Sequence, residues 1–280
     1  MDERGLGKRL QEARQAAGLT QQQLCQKANL SFSTLTKIER GAIKSPSIFT
    51  IQAIAGAVGL SLDELVGQLA ASRNLKRTKS GASFIYFDVN GCLVLYYQRA
   101  FAEIARDTGA PIDVVETAYW HYNDDVCRGD ISVAEFNTKL AERLGVDNID
   151  WLAYYLKAIE PVTAMHEVVA WAAENYKIGL LTNVMPSLVS TMRRDGHLPS
   201  VNYDEIVDSS EVSAIKPDPK IYEIAQQRAG VPAEEILLID DSRSNLIAAE
   251  KLGWNVLSFD DAQPEESAAR ARQALEPTND

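Results

Sequence analysis

Apolar residues recur at helical spacing through the first part of the chain, from residue 4 to about residue 66. This spacing predicts five short helices joined by short turns. Thr20, Ser31, Ser47 and Ser61 each stand directly before an apolar run, where a hydroxyl can cap the first turn of a helix. The first part of the chain is therefore predicted to be an all-α domain.

From Ser83 onward the pattern changes to short apolar runs that end in polar residues and are separated by helical stretches. Such alternation predicts an α/β domain with a parallel sheet covered on both faces, and sites in such sheets lie at the carboxyl ends of the strands. A long helical region is predicted over residues 98–175. The predicted strands are SFIYFD, KIGLLTN, DEIVDSS, EEILLIDD and WNVLSFD.

The two patterns divide the chain into a first domain at residues 1–68 and a second domain at residues 83–261. The segment between them, residues 69–82, is polar and basic, as is typical of a linker. Residues 262–280 are predicted to form a polar C-terminal tail that is loose at its end.

Charge is divided in the same way. The net charge of −11 is the balance of about +6 in residues 1–80 and −17 in the remainder, which favours different partners for the two parts, although uneven surface decoration would give the same counts. No apolar run is long enough for a membrane span, and the start of the chain lacks the apolar core of a signal peptide. Three widely separated cysteines argue against a disulfide framework, so we expect a cytoplasmic protein without a membrane partner.

Residues 19–41 have the pattern of a helix-turn-helix. Leu24 and Leu35 face inward on successive helices, which leaves the outer face of the second helix free to enter the major groove of double-stranded DNA. Short polar side chains there suit base edges, whereas basic ones suit phosphates. Phe32 can contact a thymine methyl group or staple the helix start. The predicted DNA-contacting residues are Gln21, Ser31, Phe32, Ser33, Thr36, Lys37 and Arg40.

These motifs, with LSFSTLTKIERG at the centre and IQAIAGAVGLSLDEL at the close, resemble the lambda-repressor-like Cro/XRE family over residues 5–66. The resemblance implies a five-helix domain that reads duplex DNA, usually as a homodimer on paired half-sites. A helical protein–protein module on the same scaffold is the alternative, and the basic charge favours DNA.

In the second part of the chain, four motifs place polar residues at strand ends. They supply Asp88, the pair Thr182 and Asn183, Lys216, and the pair Asp240 and Asp241. Each alone has an ordinary structural explanation as a helix cap or a solvated loop. Together they suit phosphoryl chemistry. A carboxylate can attack phosphorus, acidic oxygens can hold Mg²⁺, and hydroxyl, amide and ammonium donors can hold phosphoryl oxygens.

The order and spacing of these motifs resemble the haloacid dehalogenase-like (HAD) superfamily from Ser83 to about Asp261. The resemblance implies a Rossmann-like core with Asp88 as nucleophile, Mg²⁺ as cofactor and a small phosphorylated metabolite as ligand. It assigns the metal to Asp88, the main-chain carbonyl of Asn90, and Asp241 with Asp240 beside it. Residues 95–165 resemble a small helical cap that selects the substrate. The cap residues predicted to face the site are Arg99, Tyr119, Trp120, His121, Asn123 and Arg128.

One position departs from the family pattern. HAD phosphatases usually carry an aspartate two residues after the nucleophile, which serves as general acid and base, and this chain has Asn90 there. An amide cannot transfer that proton, a role commonly worth about 10²–10⁴ in rate. The sequence thus favours a DNA-binding regulator that senses a phosphorylated ligand or a phosphoryl state. An active Mg²⁺-dependent hydrolase is the alternative, and dehalogenation by Asp88 is a third interpretation.

Overall fold

The computed structural model describes residues 3–43, 46–59 and 75–277 of the chain. The chain divides into two compact units, Met1–Arg73 and Asn74–Asp280.

Four helices make up the described part of the first unit, and each of the last three begins at a predicted cap. They are α1 (Glu3–Ala16), α2 (Gln21–Ala28), α3 (Phe32–Glu39) and α4 (Ile48–Val58). The Thr20 hydroxyl accepts from the backbone N–H of Gln23, whose side chain accepts in return from the backbone of Thr20. The predicted helix after Ser61 lies outside the described residues.

The helices close around a small apolar core that includes Leu10, Leu24 and Leu35. A buried ion pair joins α1 to α3, because Arg14 Nε donates to Glu39 Oε1 at 2.7 Å. Two charged residues in so small a core are stable only as a pair, since a lone buried charge is strongly destabilising. The sequence pattern gives no sign of this pair.

The second unit is an α/β domain with strands β1 (Phe84–Phe87), β4 (Lys177–Thr182), β5 (Glu205–Asp208), β6 (Ile236–Asp240) and β7 (Asn255–Ser258). These form one parallel sheet in the order β5-β4-β1-β6-β7, which confirms the predicted fold class. Its helices are α9 (Thr163–Asn175), α10 (Leu188–Arg194), α11 (Ser209–Val212), α12 (Pro219–Ala229), α13 (Arg243–Lys251) and α14 (Pro264–Leu275).

The central strand β1 is buried on both faces. Phe84 and Tyr86 lie in one apolar core, while Ile85 and Phe87 lie in the other, because successive side chains of a strand point to opposite faces. This strand carries no alternation of apolar and polar residues for the same reason, and its last residue, Phe87, is followed directly by an acidic one.

A helical insert separates β1 from β4. It contains α5 (Tyr97–Thr108), α6 (Ile112–Arg128), α7 (Val133–Leu144) and α8 (Trp151–Ala158). Two short antiparallel strands, β2 (Val94–Leu95) and β3 (Glu160–Pro161), join the two ends of the insert. The insert occupies the residues of the predicted cap at about 95–165, and its role as a cap stays a prediction. The two-residue strands that close it are too short to leave a periodic signal.

Two predicted boundaries differ from the structure. The tail over 262–280 contains α14, whose residues Ala271 and Leu275 are fully buried, and Arg272 lies over the Trp171 ring at 3.4 Å from its centroid. Alanines at helical spacing give this helix its apolar face, a weak signal amid charged residues. The end of the predicted linker also belongs to the second unit, since Lys76 N donates to Asn175 O at 2.8 Å. Across the described residues, no helix combines the length and apolar character that a membrane crossing needs.

Candidate active site

The carboxyl ends of three neighbouring strands bring the predicted residues together. Asp88 follows β1, Thr182 ends β4 and Asp240 ends β6, and β1 pairs with both of the other strands. Because the three strands are parallel, these residues share one edge of the sheet.

Lys216 reaches this edge from the loop before α12 and is only 2% exposed. Its Nζ lies 2.9 Å from Asp88 Oδ2 and 2.6 Å from Asp240 Oδ2. Burial opposes the charge on Lys216, but the carboxylates of Asp240 and Asp88 outweigh it and hold the pKa of the ammonium above its ordinary value. Lys216 is therefore charged and serves both carboxylates.

Three carboxylates face that single ammonium. Suitable oxygens of Asp88, Asp240 and Asp241 all lie within 4.8 Å of one another. Burial raises the pKa of Asp88, with a further increase from Asp240 and Asp241 that the Lys216 ammonium opposes. An excess of buried negative charge is costly unless a cation offsets it, so this cluster favours a divalent ion.

The cluster fits Mg²⁺, which prefers carboxylate and carbonyl oxygens. Asp240 is already engaged, because its Oδ1 accepts from the backbone N–H of Ser242 at 2.8 Å and from Asn245 Nδ2 at 3.0 Å. Gly91 has a φ of +86° and lies close to the Asp241 carboxylate. A Cβ at this position would lie 2.3 Å from Asp241 Oδ2, so a glycine is what lets the Asp241 carboxylate approach the loop. The ion would be held by Asp88, Asp241 and the carbonyl of Asn90. Asp240 binds Lys216, and its role as a metal ligand stays a prediction.

Thr182 and Asn183 are predicted to donate hydrogen bonds to phosphoryl oxygens. Thr182 Oγ1 is fully buried and has no hydrogen-bond partner among the described residues. Such an orphaned hydroxyl is costly unless a ligand or water pairs with it. The Asn183 side chain is bound to the backbone of Lys216 at both of its ends, at 2.7 and 2.8 Å, and so links two of the predicted motifs.

Asn90 is held from two sides. Its Oδ1 accepts from the Tyr155 hydroxyl at 2.6 Å, and its Nδ2 donates to Asn183 O at 3.4 Å. Tyr155 comes from α8 of the helical insert, and burial holds the pKa of its hydroxyl far above the ordinary value. The amide of Asn90 and the phenol of Tyr155 therefore make fixed hydrogen bonds near Asp88 and are poor proton carriers near neutral pH.

A cavity of about 450 Å³ opens over these residues, with Asp88, Asn90, Asn183, Lys216 and Asp241 in its wall. Of the predicted cap residues, Tyr119, Trp120 and Asn123 line it. Arg99, His121 and Arg128 do not line it, and that part of the prediction is wrong.

Two of the misplaced cap residues have other partners. Arg99 pairs with Glu160 at 3.0 Å, and Arg128 pairs with Asp130 at 2.8 Å. Sequence reasoning missed Tyr155, Trp151 and Asn245 as residues of the site. Aromatic residues on an amphipathic helix look like ordinary core residues, so only the structure reveals that Trp151 and Tyr155 also border the cavity.

The predicted DNA-contacting residues lie on α3 or directly beside its ends, except Gln21, which is the first residue of α2. Ser31, Phe32, Ser33, Lys37 and Arg40 are exposed, Phe32 to 51%, and Thr36 is half-buried with its hydroxyl donating to Phe32 O at 2.8 Å. Gln21 differs from the rest, because its Nε2 donates to Glu39 Oε2 at 2.7 Å. Its contact with a DNA phosphate stays a prediction. In that contact the Gln21 side chain would donate both to Glu39 and to the phosphate.

Comparison with known families agrees with the geometry of both units. Residues 84–253 match the haloacid dehalogenase-like hydrolase family over more than half of the chain. The chain belongs to this family. Residues 10–65 match a helix-turn-helix family, so the HAD domain is preceded by a helix-turn-helix domain.

Curated relatives match one unit or the other. An immunity repressor protein of Bacillus phage phi105 is 44% identical over 63 residues, which are 22% of this chain and 43% of the repressor. The phosphatase MT3486 of Mycobacterium tuberculosis is 25% identical over 175 residues, covering 57% of this chain and 78% of that protein. A further relative, the rhythmically expressed gene 2 protein of Drosophila melanogaster, is matched over 32% of its length. The chain thus spans less than half of the repressor and of the Drosophila protein.

Solved structures share the fold of the HAD domain. A HAD family enzyme of Bacteroides thetaiotaomicron, solved as a variant with magnesium and inorganic phosphate, has a TM-score of 0.56 and 20% identity over 65% of this chain and 95% of that chain. A HAD-like hydrolase of Porphyromonas gingivalis has a TM-score of 0.54 and 22% identity over 64% of this chain and 92% of that one. At this identity the likeness concerns the fold.

Proposed function

We propose that this protein is a sequence-specific DNA-binding regulator whose HAD domain binds Mg²⁺ and a phosphoryl group, and that occupancy of this site changes its affinity for DNA. The helix-turn-helix domain supplies the DNA-binding half, with the exposed residues of α3 facing the major groove. Binding as a homodimer on paired half-sites is part of the proposal.

The observation that carries the sensing half is Asn90. The remaining phosphoryl-binding groups support attachment of a phosphoryl group at Asp88. In that step an Asp88 oxygen bonds to phosphorus, and the bond from phosphorus to the leaving oxygen breaks. Mg²⁺ would offset the charge of the anions, while Lys216 and Thr182 hold phosphoryl oxygens. Without an acid and base beside Asp88, release of the phosphoryl group to water is slow, and the occupied state persists.

An active phosphatase is the second candidate, favoured by the orphaned Thr182 hydroxyl and the charged Lys216, which suit turnover as well as binding. In that case a water or a cap residue replaces the missing acid. Dehalogenation is less well supported. Lys216 is the one cation among the described residues of the cavity wall, and none of those residues is specific to a halide.

Phosphate release separates the first two candidates. We expect the wild type to turn over alkyl phosphomonoesters slowly or not at all in the presence of Mg²⁺. Rapid turnover that is lost in Asp88→Asn would establish the enzyme and remove the reason for a slow switch. Binding of inorganic phosphate, measured by calorimetry with Mg²⁺, should be detectable in the wild type and weakened in Lys216→Met.

A further inference from the structure

The cap side of the cavity is built from aromatic rings. Six of them come from the helical insert and line the same cavity as Asp88: Tyr96, Tyr97, Tyr119, Trp120, Trp151 and Tyr155. Tyr97 and Trp120 lie 5.2 Å apart between ring centroids, and Trp120 is 45% exposed, so its ring still has surface to offer. Four of the six rings are buried against one another, so Trp120 has the ring of this wall that is most open to a ligand.

The wall holds more acidic side chains than basic ones. Its acidic and basic side chains among the described residues are Asp88, Asp124, Asp241 and Lys216, and Mg²⁺ would offset Asp88 and Asp241 but not Asp124. Asp124 stands apart from the phosphoryl site, one turn after Trp120 on α6. The nearby Arg128 pairs with Asp130 at 2.8 Å, and the Asp124 charge contributes to raising the Arg128 pKa, but no described basic residue lies within ion-pair distance of Asp124. A carboxylate or second phosphate on the ligand would meet Asp124 with no free cation in the wall, whereas a cation would be attracted.

Among the described residues, no basic side chain lies over an aromatic ring of the cavity wall. In the described part of the chain, basic side chains lie over the rings of Tyr122, Tyr203 and Trp171, and none of these rings lines the cavity. Ring faces beside a carboxylate and free of internal cations are a suitable environment for an ammonium group. The buried Trp151 Nε1 has no acceptor among the described residues, and a ligand oxygen can accept from it.

We infer that the cavity takes a phosphomonoester whose organic part carries an ammonium group. Its phosphoryl group lies at Asp88 and Lys216, and its ammonium group is held by the Trp120 ring and the Asp124 carboxylate. The inference rests on the proposed phosphoryl site and adds the class of ligand. Phosphoesters with anionic organic parts are disfavoured by the same charges.

The test compares two esters that differ in one atom. Phosphocholine and neohexyl phosphate have the same shape, but a carbon replaces the quaternary nitrogen in the second. Calorimetry on the full chain with Mg²⁺ should show phosphocholine binding about tenfold more tightly than neohexyl phosphate. Asp124→Asn should reduce that preference to about threefold or less, while the matched control Asp125→Asn, one residue along the same helix, should keep it.

The outcomes separate the inference from the proposed function. Equal affinity of the wild type for the two esters, with inorganic phosphate also bound, would overturn the ammonium inference and leave the phosphoryl site standing. Failure of both esters and of inorganic phosphate to bind would overturn both. A preference that survives in Asp124→Asn and also in Trp120→Leu would overturn the assigned place of the ammonium group. The first comparison needs only the wild type, so a misfolded variant cannot obscure it.

Discussion

Restoring a carboxyl group at position 90 should turn the phosphoryl-binding site into a working phosphatase. In the structure, Asn90 Nδ2 lies 3.4 Å from Asn183 O and Asn90 Oδ1 lies 2.6 Å from the Tyr155 oxygen. In Asn90→Asp the nitrogen becomes an oxygen that faces a carbonyl oxygen. That pair is favourable only if the carboxyl holds a proton, and the nearby carboxylates raise its pKa in the same direction. The variant therefore gains a protonated acid beside the nucleophile.

The size of the gain follows from the role that the amide cannot fill. General acid–base catalysis contributes about 10²–10⁴ in rate, equivalent to about 2.7–5.4 kcal/mol of activation free energy. We expect Asn90→Asp to raise kcat/KM for an alkyl phosphomonoester by a factor in that range. A good leaving group needs less protonation, so the gain in the first step should be smaller for p-nitrophenyl phosphate.

The assay is stopped-flow and steady-state release in the presence of Mg²⁺. The wild type should give a burst of about one nitrophenolate per site, followed by a slow phase, because breakdown of the phosphoryl-aspartate also needs a base. Asp88→Asn should give no burst. If Asn90→Asp binds Mg²⁺ normally yet hydrolyses alkyl esters no faster than the wild type, the amide is not what limits the reaction.

Three further changes test the structure around the two sites. Lys216→Met should lower the free energy of unfolding, measured in urea without Mg²⁺, by about 3–5 kcal/mol, because it leaves two buried carboxylates without their cation. Equal urea midpoints for the wild type and the variant would contradict this. Gly91→Ala should weaken Mg²⁺ binding about tenfold or more in calorimetry, since the new Cβ would lie 2.3 Å from Asp241 Oδ2, and unchanged affinity would show that the loop yields freely. Arg14→Met strands the buried Glu39, so DNA binding should be lost while Mg²⁺ binding by the HAD domain persists; retention of both would mean that the ion pair is dispensable.

The elements of the fold are largely predictable from local chemistry. Short apolar runs predict the strands of the sheet. The hydroxyl groups of Thr20 and Ser31 indicate where helices begin. Asp88, Thr182 and the pair Asp240 and Asp241 follow from their positions at strand ends. Lys216 instead lies in the loop before α12, so its approach to the same edge of the sheet depends on the fold. Helix α14 is less visible, because its buried face consists of only Ser267, Ala268, Ala271 and Leu275 among charged residues.

Contacts between distant parts of the chain are what the sequence does not reveal. The hydrogen bond from Tyr155 to Asn90 spans 65 positions, and the pairing of Arg14 with Glu39 spans 25. Neither has a local pattern, because each depends on how helices pack in three dimensions. Arg99 and Arg128 illustrate the opposite error. Basic cap residues look suited to a phosphoryl ligand, yet both are paired with neighbouring acids outside the cavity.

The central claim is that occupancy of the Asp88 site alters DNA binding, and one measurement addresses it directly. A duplex selected by the protein from random-sequence DNA is titrated with the full chain, with and without Mg²⁺ and beryllium fluoride, a mimic of a phosphoryl group on aspartate. We predict that Mg²⁺ and beryllium fluoride together change the Kd for DNA about tenfold, which corresponds to a coupling free energy of about 1.4 kcal/mol. Asp88→Asn should show no such change. An unchanged Kd, while calorimetry shows the mimic bound to the wild type, would contradict the account.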